Sequence, residues 1–259
     1  MIARATVLLV SLVAAVSIGA CTSFYEIPIE TPIQPKLDVT PFQRVLVAGF
    51  VAGGTDEVDA NMETVRLLRS QLRTKSQLRV IDTDIIPIAA VAAEQPRAAE
   101  GDENAAPANG PPDPKDIRDE KDLEAFDHVF ANAAFWRKLG EEYQSPLIVT
   151  GTILFTPHAR SGFVQREREV VDAYGRRSVQ PVRTYMERKG FILRPKFVFI
   201  DGRTGTPLYS ETFREEVLYN PQQDTPALSS YFELMDRLIP GFLGTLSSQK
   251  IKGTRVLLK

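Results

Sequence analysis

Apolar residues fall along this chain in two rhythms. Short, nearly unbroken runs stand at 44–51 (R-V-L-V-A-G-F-V), at 147–155 (L-I-V-T-G-T-I-L-F) and at 191–200. Runs of that length, rich in β-branched residues and bounded by Gly or Pro, predict strands buried on both faces. Helical spacing appears in three other places. Val65, Leu68 and Leu72 share one face of 61–74, where Asp59 or Asn61 could cap the start. Phe126, Val129, Phe130, Ala133, Ala134 and Trp136 do so within 123–143, and Leu228, Tyr231, Phe232, Met235, Leu238, Ile239, Phe242 and Leu246 near the end. Pro240-Gly241 should kink or interrupt that last helix. Residues 78–81 predict a short strand. The turn D-G-R-T-G at 201–205 should hand the chain to a hairpin partner running from Pro207 to Val217. R-V-L-L-K at 255–259 reads as a terminal strand. Gly151 marks a bulge or a close backbone approach, and Pro195 an edge or a bulge.

Between the second and third apolar runs lies a strand-like but highly charged hairpin, 162–190, turning at Ala173-Tyr174-Gly175-Arg176. Val164, Arg166, Arg168 and Val170 share one face of its first strand, and Gln165, Glu167, Glu169 and Val171 the other, because strand side chains alternate. Residues 89–115 are Ala, Glu, Pro, Gly and Asn with few large apolar side chains, too little to offset the entropy of ordering, so a disordered insertion is expected. The predicted fold is α/β (α+β): a mixed β-sheet flanked by helices, with a protruding charged β-hairpin.

The N-terminal residues change the picture. A short basic start, an apolar run from Val7 to Ile18, and small residues before Cys21 form the pattern of a secretory signal, 1–20. The run is short for a membrane span of about 20 residues. Cys21 is the only cysteine in the chain. Ile18-Gly19-Ala20-Cys21 resembles the lipobox of bacterial lipoproteins. That resemblance implies cleavage before Cys21, a diacylglycerol on its sulfur and an acylated, palmitate-type amino terminus. Thr22 in place of Asp implies the outer rather than the inner membrane. Pro28, Pro32 and Pro35 make 21–41 an extended tether, leaving 42–259 as a single domain.

The order of elements also resembles the CsgG-like superfamily, which includes the curli secretion channel, the penicillin-binding-protein activator LpoB and the N-terminal domain of TolB. V-L-V-A-G-F at 45–50, L-R-V-I-D at 78–82, L-I-V-T-G-T-I at 147–153 and the D-x-x-T-G turn within 197–210 carry the likeness. It implies a periplasmic lipoprotein acting non-catalytically in envelope biogenesis or secretion, with an oligomeric secretion pore as the alternative. A pore hairpin must turn an apolar face to lipid, and both faces of 162–190 carry charge.

Composition is that of an ordinary folded protein, with 43% apolar and 25% charged residues, and the net charge of −2 supplies no argument for nucleic acid as a partner. The two histidines, His128 and His158, lack converging partners at ligand spacing, so no metal is expected. G-F-V-A-G-G at 49–54 lacks the lysine of a phosphate loop. No nucleophile signature occurs, and neither cofactor nor enzymatic activity is expected. The candidate residues are Cys21 for lipidation and Arg166, Arg168, Tyr174, Arg176, Arg183 and Tyr185 for partner contact, since Arg and Tyr favour binding surfaces. Such a partner would be an envelope protein, a like subunit or an acidic glycan. A solvated hairpin with Arg–Glu pairs across its strands is the other reading, slightly preferred.

Overall fold

The computed structural model describes residues 24–94, 116–171, 173–220 and 222–258. In chain order the elements are β1 (Phe24–Ile33), β2 (Arg44–Gly54), α1 (Ala60–Lys75), β3 (Arg79–Val80), α2 (Ile88–Glu94), α3 (Glu120–Glu124), α4 (Asp127–Phe130), α5 (Ala133–Glu142), β4 (Leu147–Val171), β5 (Arg177–Asp201), β6 (Pro207–Thr212), β7 (Glu215–Tyr219), α6 (Ala227–Leu246) and β8 (Gln249–Leu258). They form two units: residues 36–247, and residues 24–35 with 248–258.

In the larger unit the strands run β3-β2-β4-β5-β6, and β7 pairs with β5 beyond β6. β2 is parallel to β3 and β4; β5 is antiparallel to β4, β6 and β7. The fold is therefore α/β with a mixed sheet, and the described strands close no barrel. Parallel neighbours require crossovers, and the chain makes them on opposite faces. Alternation sends Val45, Val47, Val149, Ile153 and Phe197 to the face covered by α1 and α6, and Leu46, Ile148, Val198 and Ile200 to the face covered by α2–α5. Burial on both faces explains why these strands read as continuous apolar runs rather than alternating ones.

Local chemistry sets the details. Asp59 caps α1, accepting from the Met62 amide at 2.9 Å. Gly151 fits a close approach: its φ is 144°, and a Cβ there would stand 1.8 Å from the Lys196 carbonyl oxygen. The bulge falls instead in β2, between Val47 and Gly49. Arg69 spans that irregularity, donating to the carbonyls of Val47 (2.9 Å) and Thr83 (2.7 Å). The Tyr231 hydroxyl joins α6 to α1 through Thr64 and the Ala60 carbonyl. Burial pushes its phenol far above the ordinary value, so it stays a neutral donor.

Several expectations need correcting. The stretch read as a tether becomes β1 over 24–33, in register with β8, which starts at Gln249 rather than Arg255. Beyond it the Leu37 amide donates to the Thr245 carbonyl and Phe42 is buried, so 37–42 packs on the core. Of the segment expected to be a disordered insertion, residues 89–94 are helical as part of α2, with Ile88 and Ala92 buried, and 95–115 lie outside the described residues. The single helix expected over 123–143 is three short ones. Asn132 starts a new helix by accepting from the Phe135 amide, and the Trp136 indole N–H donates to the Val129 carbonyl, which also accepts from the Asn132 amide. Conversely, α6 runs unbroken through Pro240-Gly241, its apolar face buried on both sides of them. Packing there outweighs a proline penalty of roughly 3 kcal/mol. Pro195 lies inside the sheet, opposite the break between β6 and β7, where no strand needs its missing N–H.

Candidate functional site

β4 and β5 are each 25 residues long and stay paired throughout, so the charged hairpin is a continuation of two core strands rather than a separate element. The inner part of the pair, up to Phe155 and Phe191, lies in the sheet; the stacked rings of these two residues, 4.9 Å apart, mark where the core ends. From His158 outward the ribbon projects on the order of 45 Å at about 3.4 Å per residue. Gly190 sits at the root, where a Cβ would meet the Val217 carbonyl oxygen at 1.9 Å, so glycine lets β7 pair closely there.

Register decides what the arm displays. Arg160 stands opposite Arg188, Val164 opposite Thr184, Arg166 opposite Val182 and Arg168 opposite Gln180. These residues share one face, which carries no acidic residue of its own. Among the described residues the counter-charge reaching it is Glu216 of β7 at the root, 3.8 Å from Arg160 and 3.9 Å from His158. The other face pairs Phe163 with Tyr185, Gln165 with Arg183, Glu167 with Pro181 and Glu169 with Val179. It is electrically balanced, and its aromatic pair meets edge to face at 5.4 Å. Tyr174 is 86% exposed, with the Arg176 guanidinium 5.5 Å from its ring.

The six residues singled out for partner contact therefore lie on one arm, divided among three surfaces. Arg166 and Arg168 sit on the basic face, Arg183 and Tyr185 on the opposite one, and Tyr174 and Arg176 on the turn between the strands. Arg160 and Arg188 join the first pair to complete the basic face. Their positions were visible in the sequence, but their juxtaposition needs the register. Cross-strand Arg–Glu pairing occurs near the tip: among the described residues Arg177 of β5 meets Glu169 of β4 at 3.4 Å. Arg166 and Arg168 are exposed and face Val182 and Gln180. Arg160 against Arg188 is a like-charge pair directly across the strands, an arrangement that destabilises a ribbon.

Other features serve structure. The D-G-R-T-G turn is closed by Asp201, which accepts from the Arg203 amide at 2.9 Å and from its guanidinium at 3.0 Å. Burial pushes that carboxyl up, the Arg203 hydrogen bonds pull it down, and the net result lies below the ordinary value. A cavity of about 280 Å³ beside α3 and α4 is crossed by ion pairs of Lys196 with Asp127 (2.8 Å) and Arg194 with Glu120 (3.6 Å). A second, of about 480 Å³, lies where β2 ends and α1 begins; Asp56 and Asp59 line it, an environment unsuited to phosphate. His128 bonds the Ala125 carbonyl through Nδ1 at 2.8 Å. Among the described residues no helix is long and apolar enough to cross a membrane. Cys21 lies outside the described residues.

No family model and no curated protein sequence matches this chain. Among solved structures, the lipoprotein GNA1162 from Neisseria meningitidis aligns with a TM-score of 0.33 and 11% identity, over 77% of this chain and 97% of its own. A neuraminyllactose-binding hemagglutinin homolog from Helicobacter pylori aligns with a TM-score of 0.33 and 9% identity, over 82% of this chain and 86% of its own. Both likenesses are too loose to bear on function.

Proposed function

We propose that this chain is a lipoprotein of the bacterial envelope, held at the outer membrane through Cys21 with its body in the periplasm. In this reading it works without catalysis, as an assembly or accessory factor whose hairpin arm contacts an acidic partner protein. The observation that supports the reading best is the basic face of the arm. Four arginines stand there, two of them directly opposed, without the cross-strand carboxylates that would make the face self-sufficient. Arginine suits this role because its planar fork grips carboxylates in two-point fashion.

The arm also weighs against the alternative, an oligomeric pore like the curli channel. A barrel strand needs one face apolar toward lipid, and an arginine at mid-depth costs about 2 to 4 kcal/mol. Here one face carries Arg160, Arg166, Arg168 and Arg188, and the other Glu167, Glu169 and Arg183.

Two experiments test the proposal. Fractionation of cells carrying the Cys21→Ser variant should move the protein out of the membrane pellet; equal retention, with a mature mass free of acyl groups, refutes the anchor. A photo-crosslinking residue at 166 or 168 should capture a partner in a salt-sensitive manner, while one at 167 or 169 should not. Equal capture from both faces, or from neither, refutes the role assigned to the arginines.

A further inference from the structure

The smaller unit is a two-stranded ribbon whose faces differ sharply. β1 and β8 pair in register over ten residues, from Phe24 with Leu258 to Ile33 with Gln249. Alternation puts Tyr25, Ile27, Ile29 and Ile33 of β1 on the same face as Ile251 of β8. Glu26, Glu30, Lys250 and Lys252 fall on the opposite face together with Pro28, Pro32 and Val256, which is 54% exposed, and Lys250 reaches Glu30 there at 3.2 Å. The charged face is thus paired within itself. The apolar face is not: Tyr25 is 67% exposed, Ile251 57%, Ile33 44% and Ile29 41%. An isolated pair of strands is marginal in water, so this unit needs something to cover its apolar side.

We infer that the cover is the phospholipid surface, with the ribbon lying along the bilayer interface, Tyr25 and the isoleucines toward the acyl chains. The inference rests on the lipoprotein reading of Cys21. Two residues, Thr22 and Ser23, separate Cys21 from the first strand position, Phe24, which is three steps along the chain. Fully extended, three residues span about 10 Å. A lipid on that sulfur therefore keeps the start of β1 within reach of the headgroups, and the stretch that would have acted as a long tether is taken up by the ribbon itself. Arg255 stands on the apolar face opposite Ile27. Its long stem suits a boundary between hydrocarbon and phosphate, with the guanidinium turned to the headgroups. A second copy of the chain is the weaker occupant. One face of a ten-strand-residue ribbon measures roughly 33 Å by 10 Å, about 330 Å² in projection, whereas a stable dimer buries about 800 Å² per partner.

The test uses the full lipidated chain in phosphatidylethanolamine–phosphatidylglycerol vesicles, with and without brominated acyl chains. Tyr25→Trp and Ile33→Trp, made separately, report on the two ends of the apolar face. The native Trp136 is fully buried and supplies a constant background. The expected result is a blue shift and strong bromolipid quenching of both added tryptophans, lost on combining each with Ile251→Glu and Ile29→Glu while the anchored protein still floats with the vesicles. Quenching of the tryptophan at 25 alone would mean that the ribbon stands off the membrane as a stalk, and overturns the inference. Absence of quenching at both, with a disulfide-linked dimer forming through Ile251→Cys, assigns the face to a second copy and also overturns it. The Cys21→Ser chain separates this inference from the reading it rests on. If the native protein carries no acyl group, yet the Cys21→Ser chain still binds vesicles and loses that binding with Ile29→Glu and Ile251→Glu, the lipoprotein reading fails and the ribbon's affinity for lipid stands.

Discussion

The hairpin arm and the terminal ribbon share one architecture, two antiparallel strands with a solvent-exposed surface, but they distribute polarity in opposite ways. The arm carries charge on both faces, and the terminal ribbon concentrates apolar side chains on one. Their roots account for the difference. β4 and β5 enter the arm from the centre of the sheet, where Leu147, Val149, Phe155, Phe197 and Phe199 are buried, so the pairing is already nucleated and aligned. The outer part can then be chosen for what it displays. Among the described side chains of β1 and β8 none is buried. Strand pairing alone supplies little net free energy in water, so the apolar face must find a cover. Identical hydrogen-bond patterns thus draw their stability from different places.

The largest test of this comparison removes the arm's root. Phe197 packs against Phe50, Phe213 and Phe242 at ring separations of 5.8, 5.8 and 4.9 Å. Phe197→Ala should destabilise the larger unit by about 3 to 5 kcal/mol, read as a drop in the denaturant midpoint. A loss below about 1 kcal/mol would mean that the arm is not anchored by the core. Next comes amide exchange of the Cys21→Ser chain in water without lipid. Amides of 147–155 and 197–200 should exchange with protection near the global stability, and those of 24–33 and 249–258 much faster. Equal protection would erase the distinction. The smallest effect is expected at the outer arm, where Arg166→Ser with Arg168→Ser should change stability by no more than about 0.5 kcal/mol. A larger loss would give the basic face a structural duty and remove the reason to look for a partner.

Much of the larger unit was legible in the sequence. The runs at 44–51 and 147–155 read as buried strands because a doubly covered strand needs apolar residues at nearly every position. The helix over 61–74 read correctly because Val65, Leu68 and Leu72 all reach one face, and all are buried. The two faces of the arm's first strand followed from the period of two alone. Other features were not local. Whether Asn132 caps a new helix or sits inside an old one depends on Trp136 reaching the Val129 carbonyl. Whether Pro240 breaks α6 depends on the apolar surface waiting on both sides of it. The prolines of 28–35 suggested an unpaired tether, but a strand with one neighbour tolerates proline, and β8 lies far along the chain.

The sequence by itself determined which segments could be strands or helices, and set its one cysteine after an apolar run and two small residues. Both are properties of short windows, set by side-chain period and composition. Only the tertiary structure decided that Arg160 faces Arg188, that Arg166 and Arg168 face Val182 and Gln180, and that residues 24–33 and 249–258 form a ribbon with an apolar side. Those facts depend on register between distant strands. A shift of one residue would have exchanged every face, and no local pattern specifies which partner a strand meets.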